Sequence, residues 1–350
     1  IGAGPAGLAC ALECERLGVV PDVFEQDRAV GWAWPPVVVL LNVLERRVGD
    51  IQDYLRETCG IDVKPLAEFR RLIMRSPHQE AKVEGRLGYL WERGRGPASL
   101  ENQLLGALKH TVVRYNRRVH FRELAARYDV VVVADGRDTV PRELGVWEDH
   151  GRVVMTGGVA LGSFDPTASV VYINTAYAGT GYARLTPVNE TQAVVALYCI
   201  GKQAYEVDRL LARLVETEGL KHLDFLYRIT PPAFSAGRVS RARIGNLLLA
   251  GRAAGLVEGF LGTGLHYCLA SGVMAARAVV KDMDYEDMLR PVWSHLENIA
   301  AFRQPFETLN NDGYDKLIGV LANPVVGGIV YRSGFNFADA VGGILKGVYH

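Results

Sequence analysis

The chain has 350 residues, 49% of them hydrophobic, which is enough to bury a large core and build two intimately joined domains. Its 39 Lys and Arg balance 39 Asp and Glu, so no global field draws it to nucleic acid, and the basic patch Arg114, Arg117 and Arg118 reads as a solvated face. Five scattered cysteines without a CxxC pair argue against a disulfide framework or a metal site and for a reducing, cytoplasmic setting. Cys10 and Cys14, one helical turn apart, read as small packing positions between helix and sheet. No run reaches the ~18 to 20 apolar residues of a membrane span; the nearest, Leu317–Tyr331 and Ala338–Val348, are short and broken by Gly, Pro or Asn. No signal peptide is visible.

Gly2-Ala3-Gly4-Pro5-Ala6-Gly7 fits G-x-G-x-x-G. A helical pattern over Ala6–Leu17 follows at once and stops at Gly18, a good C′ residue. A second strand, Val20–Glu25, closes on an acidic residue. Gly2 permits the tight turn, Gly4 lets backbone approach a pyrophosphate, and Gly7 lets the helix pack on the strand. The helix start, with Pro5 and Ala6, turns free N–H groups and a positive dipole end toward phosphates. Glu25 is placed to accept hydrogen bonds from ribose hydroxyls and would repel a 2′-phosphate, which leaves FAD or NAD and disfavours NADP. Since a strand ordinarily runs about 5–6 residues before such a turn, further residues are expected upstream of Ile1.

Gly31-Trp32-Ala33-Trp34-Pro35-Pro36 offers aromatic surface, read as core. Phe69–Trp91 is strand-like, and Ser99 caps a predicted helix over Leu100–Lys109 with Leu104, Leu105 and Leu108 on its buried face. The β-branched run from Tyr128 to Ala134 reads as a parallel strand covered on both sides, delivering Asp135-Gly136-Arg137-Asp138-Thr139-Val140-Pro141-Arg142. Val153–Ile200 alternates as strands do, and Glu206–Leu226 reads as an amphipathic helical stretch interrupted at Gly219. A strand from Asn246 runs into Gly251-Arg252-Ala253-Ala254-Gly255, then Gly262-Thr263-Gly264 opens a long helix over Leu265–Val280. From Tyr285 the pattern is helical, with Leu289, Val292, Trp293, Leu296 and Ile299 in step.

The segment Asp135–Arg142 resembles the D-G-x-x-S-x-x-R motif of the flavoprotein hydroxylase and reductase superfamily, with Thr139 in the serine position. Asn246–Leu265 resembles that superfamily's flavin-binding signature, Gly-Asp-Ala-Ala-Gly, then Pro, then Gly-x-Gly. Within it, Ala253–Leu265, Ala270-Ser271-Gly272, Gly181-Tyr182-Ala183-Arg184-Leu185-Thr186-Pro187 and the tail Phe306–Asp312 are similar to the geranylgeranyl reductase family, in which the third reads G-Y-x-W-x-F-P. The resemblance implies an α/β fold: a discontinuous Rossmann-type FAD-binding domain (1–60, 98–150, 236–285), an inserted antiparallel β-sheet substrate domain (61–97, 151–235) and a C-terminal helical region (286–350). It implies FAD, held by Gly2, Gly4, Pro5, Ala6, Gly7, Glu25, Asp135, Gly136, Gly251, Arg252, Ala253, Gly262, Thr263 and Gly264. The start of the Leu265–Val280 helix would face the isoalloxazine edge where reduced flavin carries negative charge.

The departures fall at the chemical end. Arg252 stands at the family's ribityl-binding aspartate and could instead pair with the pyrophosphate. Gly259 replaces a proline, Arg184 and Thr186 replace Trp and Phe, and no cysteine follows Glu25 near the expected flavin. On one strand face Tyr182, Arg184 and Thr186 would line the substrate wall, so that Arg184 should meet an anionic substrate or an internal acid. Tyr182, His266 and Arg184 are the candidate catalytic residues. No second glycine fingerprint serves a nicotinamide cofactor, so reducing power is expected from NAD(P)H without its own Rossmann fold or from a redox protein. Three readings follow: a reductase of alkene bonds in a lipid-like substrate, with peripheral contact at the inner face of a membrane; a flavin monooxygenase acting on a small anionic substrate; and a flavoprotein-like subunit of a larger assembly with altered chemistry.

Overall fold

Residues 1–31, 36–45, 47–257, 261–262, 264–332 and 336 are described by the structure, a computed structural model. Thr263, Gly259, the Trp32–Pro35 stretch and residues 337–350 therefore lie outside the described residues.

The helix Pro5–Arg16 begins where expected, with Pro at its first turn and Gly4 as N-cap. It buries Ala6, Leu8, Ala9 and Ala11. Two short parallel pairs form the first layer: Val23–Phe24 beside Val113–Arg114, and Leu247–Leu249 beside Val131–Val133. Residues 1–2 join them. Gly2 N donates to Phe24 O at 2.8 Å, and Ile1 O accepts from Ala134 N at 2.8 Å. Against this layer lies the helix Leu265–Val280, with the bounds read from sequence.

Small residues set the spacing. A Cβ on Gly7 would stand 2.0 Å from Gly2 O, and one on Gly272 would stand 2.0 Å from Ala6 O. Two helices and a turn thus meet at backbone contact, which only glycine permits. Across the same seam the buried Glu13 carboxylate takes Arg277 at 2.6 Å, and it also holds Arg16 on its own helix.

Among the described residues a nine-stranded sheet forms the second layer. Its order runs Asp224–Ile229, Trp147–Leu161, Gln192–Ile200, Tyr182–Pro187, Ala168–Tyr172, Ala67–Arg75, Glu80–Glu92 and Val37–Leu41, with Phe234–Val239 also on Trp147–Leu161. Neighbours are antiparallel except Ala67–Arg75 with Ala168–Tyr172, which are parallel. The expected wholly antiparallel sheet is corrected on this point, because these strands enter from separate parts of the chain rather than through a hairpin. Val37–Leu41, expected with the nucleotide-binding part, pairs with Glu80–Glu92 and extends this sheet.

Alternation along the strands serves two faces. Val154, Val195 and Leu197 pack under Val207, Leu211 and Leu214 of the helix Ala204–Thr217. Met155, Val194 and Ala196 point the other way, into a core shared with Val37, Phe69 and Ile318. The amphipathic helix is shorter than expected. It ends at Thr217, Gly219 takes φ 67°, and Asp224–Ile229 is an edge strand on Trp147–Leu161. Phe225 and Tyr227 favour the extended backbone once that edge offers partners.

The helix at Leu100 stops at Ala107, with Leu104 buried and Leu105 and Leu108 packed at the margin of the same core. The helix Tyr285–Ala301 returns to the first layer. Its Tyr285 hydroxyl donates to Leu249 O at 2.7 Å, and Trp293 Nε1 donates to Ala254 O at 3.1 Å.

Candidate active site

Between the glycine turn and the second sheet lies a cavity of about 640 Å³, within the range of small-molecule and cofactor sites. Gly2, Gly4, Pro5, Ala6 and Glu25 line one end; Asp135, Gly136, Gly251, Arg252, Gly262 and Gly264 line its length; Tyr182, Arg184, Tyr198 and Met155 come from the sheet. Residues read from three distant segments are thus brought to one wall.

The turn has the geometry its glycines predict. Gly2 takes φ 93°, and a Cβ there would stand 2.6 Å from Ala134 O. Gly4 is different: a Cβ on it would meet no protein atom within 4 Å, because it faces the cavity. Glu25 braces the turn, its carboxylate accepting from Ala3 N at 2.8 Å and from Asp27 N at 2.9 Å. Gly7 is a packing residue and does not line the cavity. Neither does Ala253, which is fully buried in the core. Burial raises the Asp135 carboxyl above its ordinary value, and its Oδ1 accepts from Arg137 N at 3.1 Å.

Gly251 takes φ 61° and donates its N–H to Ser271 Oγ at 2.9 Å. Ser271 in turn donates to Cys268 O at 2.8 Å, so the loop is tied to the helix it precedes. Gly264 takes φ 138°, and a Cβ there would stand 2.3 Å from Leu256 O. Arg252 is half-buried with its guanidinium 4.6 Å from the centre of the Phe234 ring. Desolvation brings its pKa down to about 10, so it stays cationic near neutrality.

The candidate catalytic residues separate. Tyr182 lines the cavity, stacks on Tyr198 with ring centres 4.8 Å apart, and donates its hydroxyl to Leu261 O at 2.6 Å. That bond ties the sheet to the loop ahead of Gly262, a positioning role. Arg184 also lines the cavity; its Nη2 donates to Tyr198 Oη at 3.2 Å and Val37 O at 3.4 Å, while its Nε is buried without a partner. Thr186 does not share that wall: it is buried, with its hydroxyl 2.9 Å from Ser169 Oγ.

His266, expected beside a bound ring, turns away from the cavity. It is 1% exposed, with Nε2 3.3 Å from Glu45 Oε2. The same oxygen lies 3.1 Å from His295 Nε2 and accepts from the Tyr267 hydroxyl. Burial pushes the Glu45 carboxyl up, but His266 and His295 outweigh it and hold the group well below the usual carboxylate range. Sequence reading missed Glu45 and His295 because they join a residue 221 to 250 positions away, beyond any local pattern. It also missed the pair of half-buried Arg93 with buried Glu101 at 2.7 Å and the rings of Tyr198 and Phe234. For Tyr198, strand alternation was the available signal.

Among the described residues no group of three or more His, Cys, Asp and Glu could hold a metal ion, and no helix is long and apolar enough to cross a membrane.

No protein-family model and no curated protein matches the chain. Solved structures share its fold. A geranylgeranyl bacteriochlorophyll reductase-like protein from Thermoplasma acidophilum superposes with a TM-score of 0.75 at 16% identity, over 98% of this chain and 97% of that one. A flavoprotein/dehydrogenase from Cytophaga hutchinsonii gives 0.62 at 14% identity, over 100% and 98%. The myxobacterial chondrochloren halogenase, a variant of FAD-dependent halogenases, gives 0.62 at 14% identity, over 99% and 95%.

Proposed function

We propose that this chain is an FAD-dependent oxidoreductase, and that its reaction is the reduction of a carbon–carbon double bond in a largely apolar substrate. The single observation that carries the reading is Gly4: a helix N-cap in extended backbone, facing a cavity, with room for a ligand where any side chain would stand. The residues present fit the ADP half of FAD. Gly4 and Ala6 offer backbone N–H groups and a helix dipole to a pyrophosphate, Gly2 and Pro5 shape the turn around it, and Glu25 offers carboxylate oxygens to a ribose. At the other end, Gly262 and Gly264 open the helix Leu265–Val280 toward the same cavity, a suitable counter-charge for an anionic ring edge. Arg252, cationic and half-buried, substitutes donors for the acceptors an aspartate would bring, so its partner on the cofactor would be phosphate or carbonyl oxygen.

Bound FAD supplies two-electron hydride chemistry that no protein side chain supplies. The chain's own part is orientation and the exclusion of water. Val37, Met155, Tyr182 and Tyr198 make an apolar and aromatic wall on the sheet. The Tyr182 hydroxyl, engaged by Leu261 O, holds the loop against that wall, so a proton for the substrate would come from another donor or from water. Electrons would arrive from NAD(P)H visiting the cavity or from a redox protein.

Arg184 favours a second reading, a flavin monooxygenase on an anionic substrate; oxygen-dependent NAD(P)H consumption coupled to hydroxylation separates it from the reductase. The primary test is the visible spectrum of the purified protein, with mass identification of what denaturation releases. Stoichiometric FAD is expected. A colourless, folded protein that takes up no added FAD would overturn the proposal and favour a subunit with altered chemistry.

A further inference from the structure

Arg184 sits on a central strand, with Val171 and Ala196 as its register partners, so both flanks are apolar. Its side chain stands on the cavity face with Tyr182 and Tyr198 and runs toward Val37 O. The hydrogen bonds it makes go to a carbonyl and a phenol, both uncharged, and its Nε is buried without a partner. Its guanidinium also lies 5.8 Å from the Tyr198 ring centre.

Of the five acids that line the cavity, Asp27 follows Glu25 at the glycine-turn end and makes no ion pair with Arg184, and the other four are engaged elsewhere. Glu101 holds Arg93, Asp138 holds Arg142, and Glu25 and Asp135 accept backbone N–H groups at the glycine-turn end. Among the described residues no carboxylate lies within ion-pair distance of Arg184. A half-buried cation set in an apolar wall without a counter-charge is costly unless its ligand supplies one.

We infer that Arg184 is an anion-anchoring, specificity-determining residue, and that the substrate is an amphipathic organic anion whose carboxylate or phosphate meets Arg184 while its apolar body lies along Val37, Met155 and the two tyrosines. This rests on the proposed function in taking the cavity as the substrate pocket beside the cofactor. It adds the charge of the substrate and the residue that reads it. A guanidinium matches the planar fork of a carboxylate and the oxygens of a phosphate, and the paired tyrosines give the adjoining apolar segment a flat surface.

Calorimetric titrations of the FAD-loaded protein with decanoate, decyl phosphate and neutral decanamide test it, alongside Arg184→Met and Arg184→Lys. The wild type should bind one or both anions roughly ten- to a hundredfold more tightly than decanamide, less so at high salt. Arg184→Met should bring anion and amide within about twofold with amide affinity unchanged, and Arg184→Lys should keep part of the preference. Which anion binds more tightly distinguishes a carboxylate from a phosphate head. No preference in the wild type, or a preference that persists in Arg184→Met, overturns the inference. So does an Arg184→Met protein whose defect is confined to FAD content, since Arg184 would then serve the cofactor. Should Arg184→Met not fold, Arg184→Gln takes its place in the comparison, since Arg93, Arg137 and Arg252 also line the cavity. A protein that takes up no FAD yet shows the Arg184-dependent preference would sink the flavin reading and leave the anion site standing; FAD uptake without the preference would do the reverse.

Discussion

Gly4→Val and Gly7→Ala make opposite perturbations three residues apart in one helix start. Gly4 has φ −81° and ψ −175°, a conformation open to any residue, and a Cβ there touches nothing within 4 Å. The cost to folding should be about 1 kcal/mol at most, because valine is a poorer N-cap than glycine. Gly7 has no such room. Its added Cβ would stand 2.0 Å from Gly2 O and 3.1 Å from Gly2 C, so helix and turn must part by roughly an ångström, at about 1–3 kcal/mol or more. Ligand binding reverses the ranking. With FAD at a hundred times its Kd, the wild type gains about 2.7 kcal/mol of stability. If the Gly4→Val side chain occupies the pyrophosphate space and weakens binding a hundredfold, the same concentration contributes only about 0.4 kcal/mol. Thermal melts with and without FAD, read beside a direct FAD titration, measure both quantities. The expected result is a Gly4→Val protein with near-normal apo Tm and almost no FAD-induced shift, against a Gly7→Ala protein whose apo Tm is itself lowered. A full FAD shift in Gly4→Val would refute the assignment of this cradle to the pyrophosphate.

Glu25→Ala should weaken FAD binding by about 1–3 kcal/mol, measured by titration, since it removes an acceptor for the ribose and the brace on Ala3 N. Tyr182→Phe should cost about 1 kcal/mol and speed amide exchange around Leu261 and Gly262; unchanged exchange there would argue against the tie between sheet and loop. Glu45 makes stability pH-dependent. Its folded pKa is depressed, so its contribution is complete above the ordinary glutamate value of about 4.3 and is lost as pH falls below it. The Tm gap between wild type and Glu45→Gln should therefore be widest above that pH and shrink toward more acid conditions; a gap that grows on acidification would contradict the lowered Glu45 carboxyl.

The glycine turn, the helix that follows it and the bounds Leu265–Val280 were legible in the sequence, because each depends on neighbours within a turn or a pleat: a glycine spacing, a C-cap, an apolar period. The two faces of the long sheet were legible for the same reason, since alternation at Val154/Met155 and Val194/Val195 assigns sides before partners are known. What the tertiary structure alone decided is who meets whom. Val37–Leu41 joined the second sheet, and Asp224–Ile229 became an edge strand instead of helix, because the rim of that sheet offered backbone partners no local window contains. His266 left the expected reaction centre for Glu45 and His295, and Thr186 went to Ser169, through contacts that depend on how packed layers bring remote segments together. Arg184 shows both halves of the lesson. Strand period puts it on one face with Tyr182, but only the packed sheet shows that this face is the cavity wall and that no described carboxylate waits there.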